Sequence, residues 1–202
     1  MSKHVYISAD YDIDSGDRDV VDKLNKWSED SYRKVEFTDM AKVASGSVSK
    51  DPDCRICDLK REFNAQIKAS SAVIFVVGDK TAGRTAGSKC ERNSNKQTEC
   101  YCTPYKQNAG GSRQCRVQFT CTPAESEDVG NINRYSYLRH EFEQAQKRGK
   151  HIIVVYNSMR RESSWLPSYL KDYESVAQPF WVKDSLGRKN GNYSFIKDEL
   201  GF

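Results

Sequence analysis

Two kinds of hydrophobic pattern alternate along the chain. Residues 5–7, 72–77 and 152–156 form short apolar runs, and the last two are apolar at every position. Such uninterrupted runs favour strands that are buried on both faces of a sheet. Residues 34–38 alternate apolar and polar side chains, and residues 179–182 form a short apolar stretch, so we expect strands there too.

Between these predicted strands, apolar residues recur three or four positions apart, as they do on the buried face of a helix. The pattern predicts a helix from a cap near Asp14 and Ser15, with Asp17 and Asp19 in its first turn. Three further helices are predicted around residues 59–67, over 135–147 and over 193–200. The apolar stripes of the first three helices are Val20, Val21, Leu24 and Trp27; Leu59, Phe63 and Ile67; and Leu138, Phe142 and Ala145.

Strands that alternate with helices indicate an α/β fold with a mostly parallel central sheet between two helical layers. In such sheets ligands bind beyond the carboxyl ends of the strands, where the strand order switches. We therefore expect the site among loops 8–12, 37–40, 78–81 and 156–158. The first strand is not followed by a phosphate-binding glycine motif, which disfavours a standard dinucleotide site.

The length of 202 residues suits a single domain, residues 1–202, that contains one insertion. Residues 83–133 are rich in Gly, Ser, Asn, Thr and Cys and have no apolar period. A segment of this length within a compact domain is expected to be an inserted subdomain or a mobile loop.

Seven cysteines are present, and an odd number excludes a fully paired disulfide framework within one chain. Cys54 and Cys57 have the spacing of zinc ligands, and Cys100 and Cys102, together with Cys115 and Cys121, could supply further thiolates. A structural zinc site needs two such pairs, and only one pair has the required spacing. We therefore expect reduced thiols and no bound metal.

The net charge of +4 is a weak excess, and the basic residues form no stripe interleaved with aromatic residues. This disfavours nucleic acid as a partner. No apolar run approaches the length of a membrane span, and the amino terminus does not resemble a signal peptide. We expect a cytoplasmic protein that does not bind a membrane.

Several segments together resemble TIR and TIR-like domains. The strand HVYIS at 4–8 resembles their first strand, and residues 59–81 resemble their second helix and third strand. Residues 137–156 resemble the segment in which an aromatic residue precedes a glutamate by four positions, ahead of an apolar strand. The segments 180–184 and 192–200 are similar to the end of the TIR-like proteins of Thoeris antiphage systems, the ThsB type. Residues 83–133 have no counterpart in this resemblance.

The resemblance implies a flavodoxin-like or TIR-like three-layer sandwich and a hydrolase of the NAD glycohydrolase or ADP-ribosyl cyclase type. NAD would be the substrate, with no separate cofactor, and an ADP-ribose-derived, cyclic or linear nucleotide would be the signal in antiviral defence. The implied partners are an effector protein that responds to this nucleotide, a phage-derived trigger, and further copies of the chain itself.

The resemblance carries the catalytic role to Glu141 and the aromatic position to Tyr137, where the family more often has tryptophan. Cleavage of the nicotinamide–ribose bond passes through an oxocarbenium-like state, which a carboxylate can stabilise. Tyr137 could stack on a ring of NAD. The helical period places Glu141 beside the apolar stripe of its helix, at the edge of the buried face. His140 is expected on the solvent side.

Four further residues on the predicted loops are candidate NAD contacts. Ser8, Asp10 and Tyr11 follow the first strand, and Thr81 follows the third. Each could instead stabilise a turn or cap a strand, which such residue types often do. Glu141, in turn, could be a solvated helix charge paired with a neighbouring cation.

Two other functions are compatible with the sequence. The chain could be a TIR-like interaction module that works by assembly without turnover. It could also be a receiver-like phosphoacceptor domain, because Asp10, Asp12, Asp79 and Ser158 all follow predicted strands.

Overall fold

The computed structural model describes seven segments of the chain: residues 3–10, 17–29, 35–39, 52–84, 105–108, 111–114 and 136–201. For residues 52–59, 61, 105–108 and 111–114 it describes the backbone path alone.

Four α-helices, three short 3₁₀ helices and nine strands occur in these segments. The elements, in chain order, are β1 (Lys3–Ser8), α1 (Arg18–Ser28), β2 (Val35–Asp39), α2 (Pro52–Ala69), β3 (Ala72–Val77), β4 (Tyr105–Asn108), β5 (Gly111–Gln114), α3 (Tyr137–Lys147), β6 (His151–Tyr156), β7 (Gln178–Pro179), β8 (Trp181–Lys183), β9 (Lys189–Gly191) and α4 (Tyr193–Glu199).

Five of the strands form one sheet in the order β2-β1-β3-β6-β7, and every neighbouring pair in it is parallel. The chain moves outward from β1 to β2 and then crosses back to β3, so the strand order switches between β1 and β3. This is the doubly wound, flavodoxin-like order. The predicted α/β sandwich with a parallel sheet is thereby confirmed.

Helices cover both faces of the sheet, and each face has its own hydrophobic core. Val5 and Ile7 of β1 point to the side where α1 and α4 pack. Tyr6, between them, points to the opposite side, which α2 and α3 cover. All six residues of β3 are buried, as its uninterrupted apolar run predicts.

Helix α3 begins two residues later than the apolar period predicts. The Ser136 side chain accepts a hydrogen bond of 3.2 Å from the Arg139 backbone N–H, which caps the helix. Its end is as expected: Gly149 has a φ of 60°, the left-handed conformation that commonly terminates a helix.

The single strand predicted over 179–182 is wrong, because the chain divides there into two strands of different sheets. Strand β7 ends at Pro179 and belongs to the parallel sheet, whereas β8 begins at Trp181 and pairs with β9 in an antiparallel hairpin. Phe180 separates them: its N–H donates to the Tyr156 carbonyl at 2.8 Å, and its side chain is fully buried. Burial of this ring on the α1 side turns the chain out of the sheet.

Within the predicted insertion 83–133, the structure describes the antiparallel pair β4 and β5. Their sequences, YKQN and GSRQ, have no apolar alternation, so the hydrophobic period predicted no element there. The other residues of the insertion beyond Arg84 lie outside the described segments.

None of the helices in the described segments combines the length and the apolar character needed to cross a membrane.

Candidate active site

Glu141 lies inside the core and not at its edge. It is on α3, one turn after the helix begins, and only 2% of its surface is exposed. Its neighbours Phe142 and Ala145 pack on the sheet as the apolar period predicts. The Phe142 ring meets Phe75 of β3 edge-on at 5.8 Å between centroids, and the Glu141 carboxylate is directed at β1.

Two hydroxyl groups of β1 donate to this carboxylate. The Tyr6 hydroxyl donates to Oε1 of Glu141 at 2.8 Å, and the Ser8 hydroxyl donates to Oε2. Tyr6 and Ser8 are two residues apart on one strand, so their side chains point to the same face of the sheet. Both are fully buried, and each Glu141 oxygen thus has a partner from the protein.

Burial dominates the ionisation of Glu141. Loss of water raises the pKa of its carboxyl from 4.5 to about 7, although the hydrogen bonds from Ser8 and Tyr6 act in the opposite direction. A carboxyl group with this pKa exchanges its proton near neutral pH, which is the property expected of a functional acid or base.

A third hydroxyl group lies near Glu141. Burial raises the pKa of Tyr169 to about 12, and the negative charge of Glu141 contributes to this rise. The Tyr169 hydroxyl is 3.4 Å from the Ser136 hydroxyl at the cap of α3. The carboxylate therefore lies among neutral hydroxyl groups that come from β1 and from the segment before β7.

Tyr137, the candidate stacking residue, packs into the core. Its ring meets Phe63 of α2 edge-on, with centroids 5.5 Å apart and planes at 90°. The side chain is half-buried and lies one turn before Glu141 on α3. Its ring joins α2 to α3.

Asp10 and Thr81 take part in local contacts at the carboxyl edge of the sheet. The Asp10 carboxylate pairs with Arg84 at 2.5 Å between Oδ2 and Nε. The Thr81 hydroxyl accepts the backbone N–H of Gly78 at 2.8 Å and so closes the turn after β3. For Thr81 this is the turn-forming role considered above.

A second buried carboxylate lies on the opposite side of the sheet. Oδ1 of Asp17 accepts a hydrogen bond of 3.1 Å from Asn157, whose own oxygen accepts the Trp181 indole N–H at 2.7 Å. Burial raises the pKa of Asp17 to about 7, the Asn157 hydrogen bond lowers it, and the negative charge of Asp10 raises it further. Asp17 precedes α1 and is fully buried, whereas the sequence placed it as a first-turn charge.

The expectation that His140 faces solvent is wrong, because its side chain is 1% exposed. Its Nε2 lies 3.0 Å from Oδ1 of Asn64 on α2. The helical period correctly predicts that His140 points away from the sheet. However, α2 covers that side of α3, so the His140 side chain is buried.

Of the predicted site residues, the structure brings Ser8 and Glu141 into direct contact. Sequence reasoning missed Tyr6 as a partner and missed the buried roles of Asp17 and Asn157. The sequence does contain a feature that points to Tyr6. A buried tyrosine in an apolar strand needs a hydrogen-bond partner for its hydroxyl, and Ser8, two residues later, places a second hydroxyl on the same face of the strand. For Asp17 and Asn157 no local pattern is available, since they are 140 residues apart.

Of the phosphoacceptor candidates, Asp10, Asp79 and Ser158 follow β1, β3 and β6 at the carboxyl edge of the sheet. Asp79 is exposed, and the Ser158 hydroxyl is 3.4 Å from the Glu162 carboxylate. Asp12 lies outside the described residues, as does the NAD-contact candidate Tyr11.

The zinc candidates lie largely beyond the described side chains. Cys54 and Cys57 are on α2, where only the backbone is described, and Cys100 and Cys102 lie outside the described segments. Among the side chains that are described, no group of three or more His, Cys, Asp or Glu residues is placed to hold a metal ion.

Comparison with known proteins adds no family assignment: no protein-family model matches the chain, and no curated protein matches it significantly.

Proposed function

We propose that this protein is a TIR-like enzyme that cleaves NAD to nicotinamide and an ADP-ribose-derived nucleotide, with Glu141 as the catalytic residue. One observation carries the proposal: a carboxylate near the strand-order switch is held at both oxygens by hydroxyl groups. Ligands of doubly wound α/β proteins bind at this part of the sheet.

The chemistry of Glu141 suits this reaction. Departure of neutral nicotinamide leaves positive charge on the ribose, and a carboxylate in a poorly solvated site stabilises that charge better than it would in water. Each carboxylate oxygen can accept more than one hydrogen bond. Glu141 therefore retains acceptor capacity for ribose hydroxyls while Tyr6 and Ser8 remain bound.

Access to Glu141 requires a change of conformation, because 2% exposure leaves no room for direct contact with a substrate. Ser8 is the last residue of β1, so its hydroxyl is the partner nearest to the carboxyl edge. We propose that self-association, or binding of a phage-derived trigger, opens this edge and lets a ribose hydroxyl compete with Ser8 for Oε2. The protein would then be inactive until infection.

In this proposal the nucleotide product activates a separate effector, as in Thoeris-type antiphage defence. The reaction takes place in the cytoplasm, with NAD as substrate and no further cofactor. The resemblance of residues 4–8, 59–81 and 137–156 to TIR-like domains supports this part of the proposal.

The test is incubation of the purified protein with NAD, alone and with lysate from infected cells, followed by mass analysis of the products. Glu141→Gln keeps the size of the side chain but removes the charge, and we expect it to abolish product formation. Glu143→Gln is the matched control, since Glu143 is on the same helix, half-exposed, and paired with Arg139 at 2.9 Å. Equal activity of the wild type and Glu141→Gln would refute the catalytic assignment.

A second function, a TIR-like interaction module without turnover, is favoured by a different property of the same site. Both Glu141 oxygens are already bonded within a closed core, as in a polar contact that only joins α3 to β1. If this function is correct, the wild type consumes no NAD in infected lysate, and Glu141→Gln retains its defence activity in cells whenever it folds.

A further inference from the structure

The hydroxyl group of Tyr6 is the least expected part of the site. It is buried in the middle of β1 and donates to Oε1 of Glu141 across 135 residues of sequence. We propose that Tyr6 is a positioning residue, whose hydroxyl holds the Glu141 carboxylate in the orientation that the reaction needs. This inference rests on the proposed function and gives Tyr6 a role beyond its place in strand β1.

Strands on both sides of β1 hold the backbone of Tyr6 in place. Its backbone lies opposite Thr38 of β2 and opposite Val73 of β3, so β1 is an inner strand at this point. Its ring is fully buried in the core that α2 and α3 cover. The hydroxyl on this ring therefore has little freedom to move. Its 2.8 Å hydrogen bond to Glu141 holds one carboxylate oxygen in place.

The two donors to Glu141 are therefore not equivalent. Tyr6 anchors Oε1 from the interior of the sheet, whereas Ser8 contacts Oε2 from the last position of β1. A substrate that arrives at the carboxyl edge can replace Ser8 without disturbing Tyr6. Oε1 would then act as the pivot of the carboxylate and Oε2 as the atom presented to the ribose.

The hydroxyls of Tyr6 and Ser8 have a large influence on the ionisation of Glu141 because of what surrounds its carboxyl group. Among the residues that the structure describes, the groups other than burial that shift the pKa of Glu141 are the hydroxyls of Ser8 and Tyr6, and Tyr169 is a further titratable group whose pKa responds to the charge of Glu141. Adjacent charged side chains of α3 are engaged elsewhere, since Arg139 pairs with Glu143. The charge of Glu141 thus depends on hydrogen bonds from neutral groups, and loss of one of them should be measurable.

A matched control is available on the same face of the sheet. Tyr156 of β6 is also fully buried and belongs to the same core cluster as Tyr6. Tyr6→Phe and Tyr156→Phe each remove one buried hydroxyl and keep the ring. Only the first removes a hydrogen bond to Glu141.

The first measurement needs no enzymatic activity. Glutamate labelled with ¹³C at the side-chain carboxyl is titrated by NMR in the folded full-length protein, and Glu141→Gln identifies the Glu141 signal. We expect Tyr6→Phe to raise the pKa of Glu141 by roughly one unit or more, because it removes a hydrogen bond to the charged form. Tyr156→Phe should leave the midpoint where it is in the wild type. Identical midpoints in the wild type and a folded Tyr6→Phe variant would overturn the inference.

The second measurement is steady-state NAD cleavage by the same proteins. Tyr6→Phe should lower kcat by about tenfold or more with little change in KM, and should move the acidic limb of the pH profile to higher pH. A folded Tyr6→Phe variant with the kcat and pH profile of Tyr156→Phe would refute the positioning role. A wild type that cleaves no NAD would refute the proposed function, and the carboxyl titration would still decide whether Tyr6 holds Glu141.

Discussion

Gly78 lies directly against the carboxylate of Asp17. A Cβ atom at position 78 would be 2.5 Å from Oδ1 of Asp17, closer than carbon and oxygen can approach without displacement. Since Gly78 follows β3 and Asp17 precedes α1, this contact closes the α1 side of the sheet at its carboxyl edge. The Asn157 side chain holds the same carboxylate from the end of β6.

Gly78→Ala is therefore expected to destabilise the protein. Asp17 has to move, which weakens its 3.1 Å hydrogen bond to Asn157, and we expect a loss of about 1–3 kcal/mol in the free energy of unfolding. Denaturant titration measures this loss. Gly83→Ala is the control, because a Cβ there meets nothing within 4 Å. Equal midpoints for the two variants would show that the Asp17 contact is unimportant.

A second close approach predicts overpacking at Gly191. A Cβ there would lie 2.7 Å from Cζ2 of Trp27 and 3.1 Å from Cζ of Phe180. Both rings are buried and face each other at 5.7 Å between centroids, so neither can withdraw freely. We expect Gly191→Ala to cost about 1–3 kcal/mol and to change the tryptophan fluorescence of the native state. Retention of wild-type stability and emission would contradict this packing.

Thr81 can be tested for its turn-closing role. Thr81→Val keeps the shape of the side chain but removes the acceptor of the Gly78 N–H, and we expect it to cost about 1–3 kcal/mol in unfolding free energy. Thr81→Ser keeps the hydroxyl and should be much less affected. If Thr81→Val folds as stably as the wild type but loses affinity for NAD, while Thr81→Ser retains that affinity, the Thr81 hydroxyl is a substrate contact and not a turn contact.

The raised pKa of Glu141 predicts a particular dependence of stability on pH. The native carboxyl keeps its proton up to about pH 7, whereas the unfolded one loses it near 4.5. Between these values the native state binds more protons, so the contribution of Glu141 to stability is full below pH 4.5 and falls as pH rises to 7. The total change is on the order of 3 kcal/mol.

Glu141→Gln should remove this dependence, because glutamine does not titrate. Unfolding free energies of the wild type and Glu141→Gln are compared from pH 4 to 8, with Glu143→Gln as the half-exposed control. We expect the wild type to lose stability relative to Glu141→Gln across this range, but not relative to Glu143→Gln. A constant difference between wild type and Glu141→Gln would mean that the two states of the chain bind the Glu141 proton equally.

The candidate site was only partly predictable. Ser8 and Glu141 were both named from sequence, and the structure joins them by a hydrogen bond. Tyr6 was assigned to a strand without a role, and His140 was assigned to solvent. The strand prediction for Tyr6 is correct and only its hydrogen bond was missed, whereas the prediction for His140 is wrong. Glu141, the partner of Tyr6, is 135 residues away in sequence, and Asn64, the partner of His140, is 76 residues away.

The sequence by itself determined the spacing of apolar residues in each main element. This spacing distinguished strands from helices, and their alternation predicted the α/β class and the parallel sheet. Such periods are local, since an apolar stripe or run shows which face of an element avoids water. Tertiary structure alone decided how deeply Glu141 is buried, which hydroxyls hold it, and that residues 179–182 divide between two sheets. These properties depend on which elements cover one another, because a polar residue at the edge of a helix stripe is solvated or buried according to its neighbours.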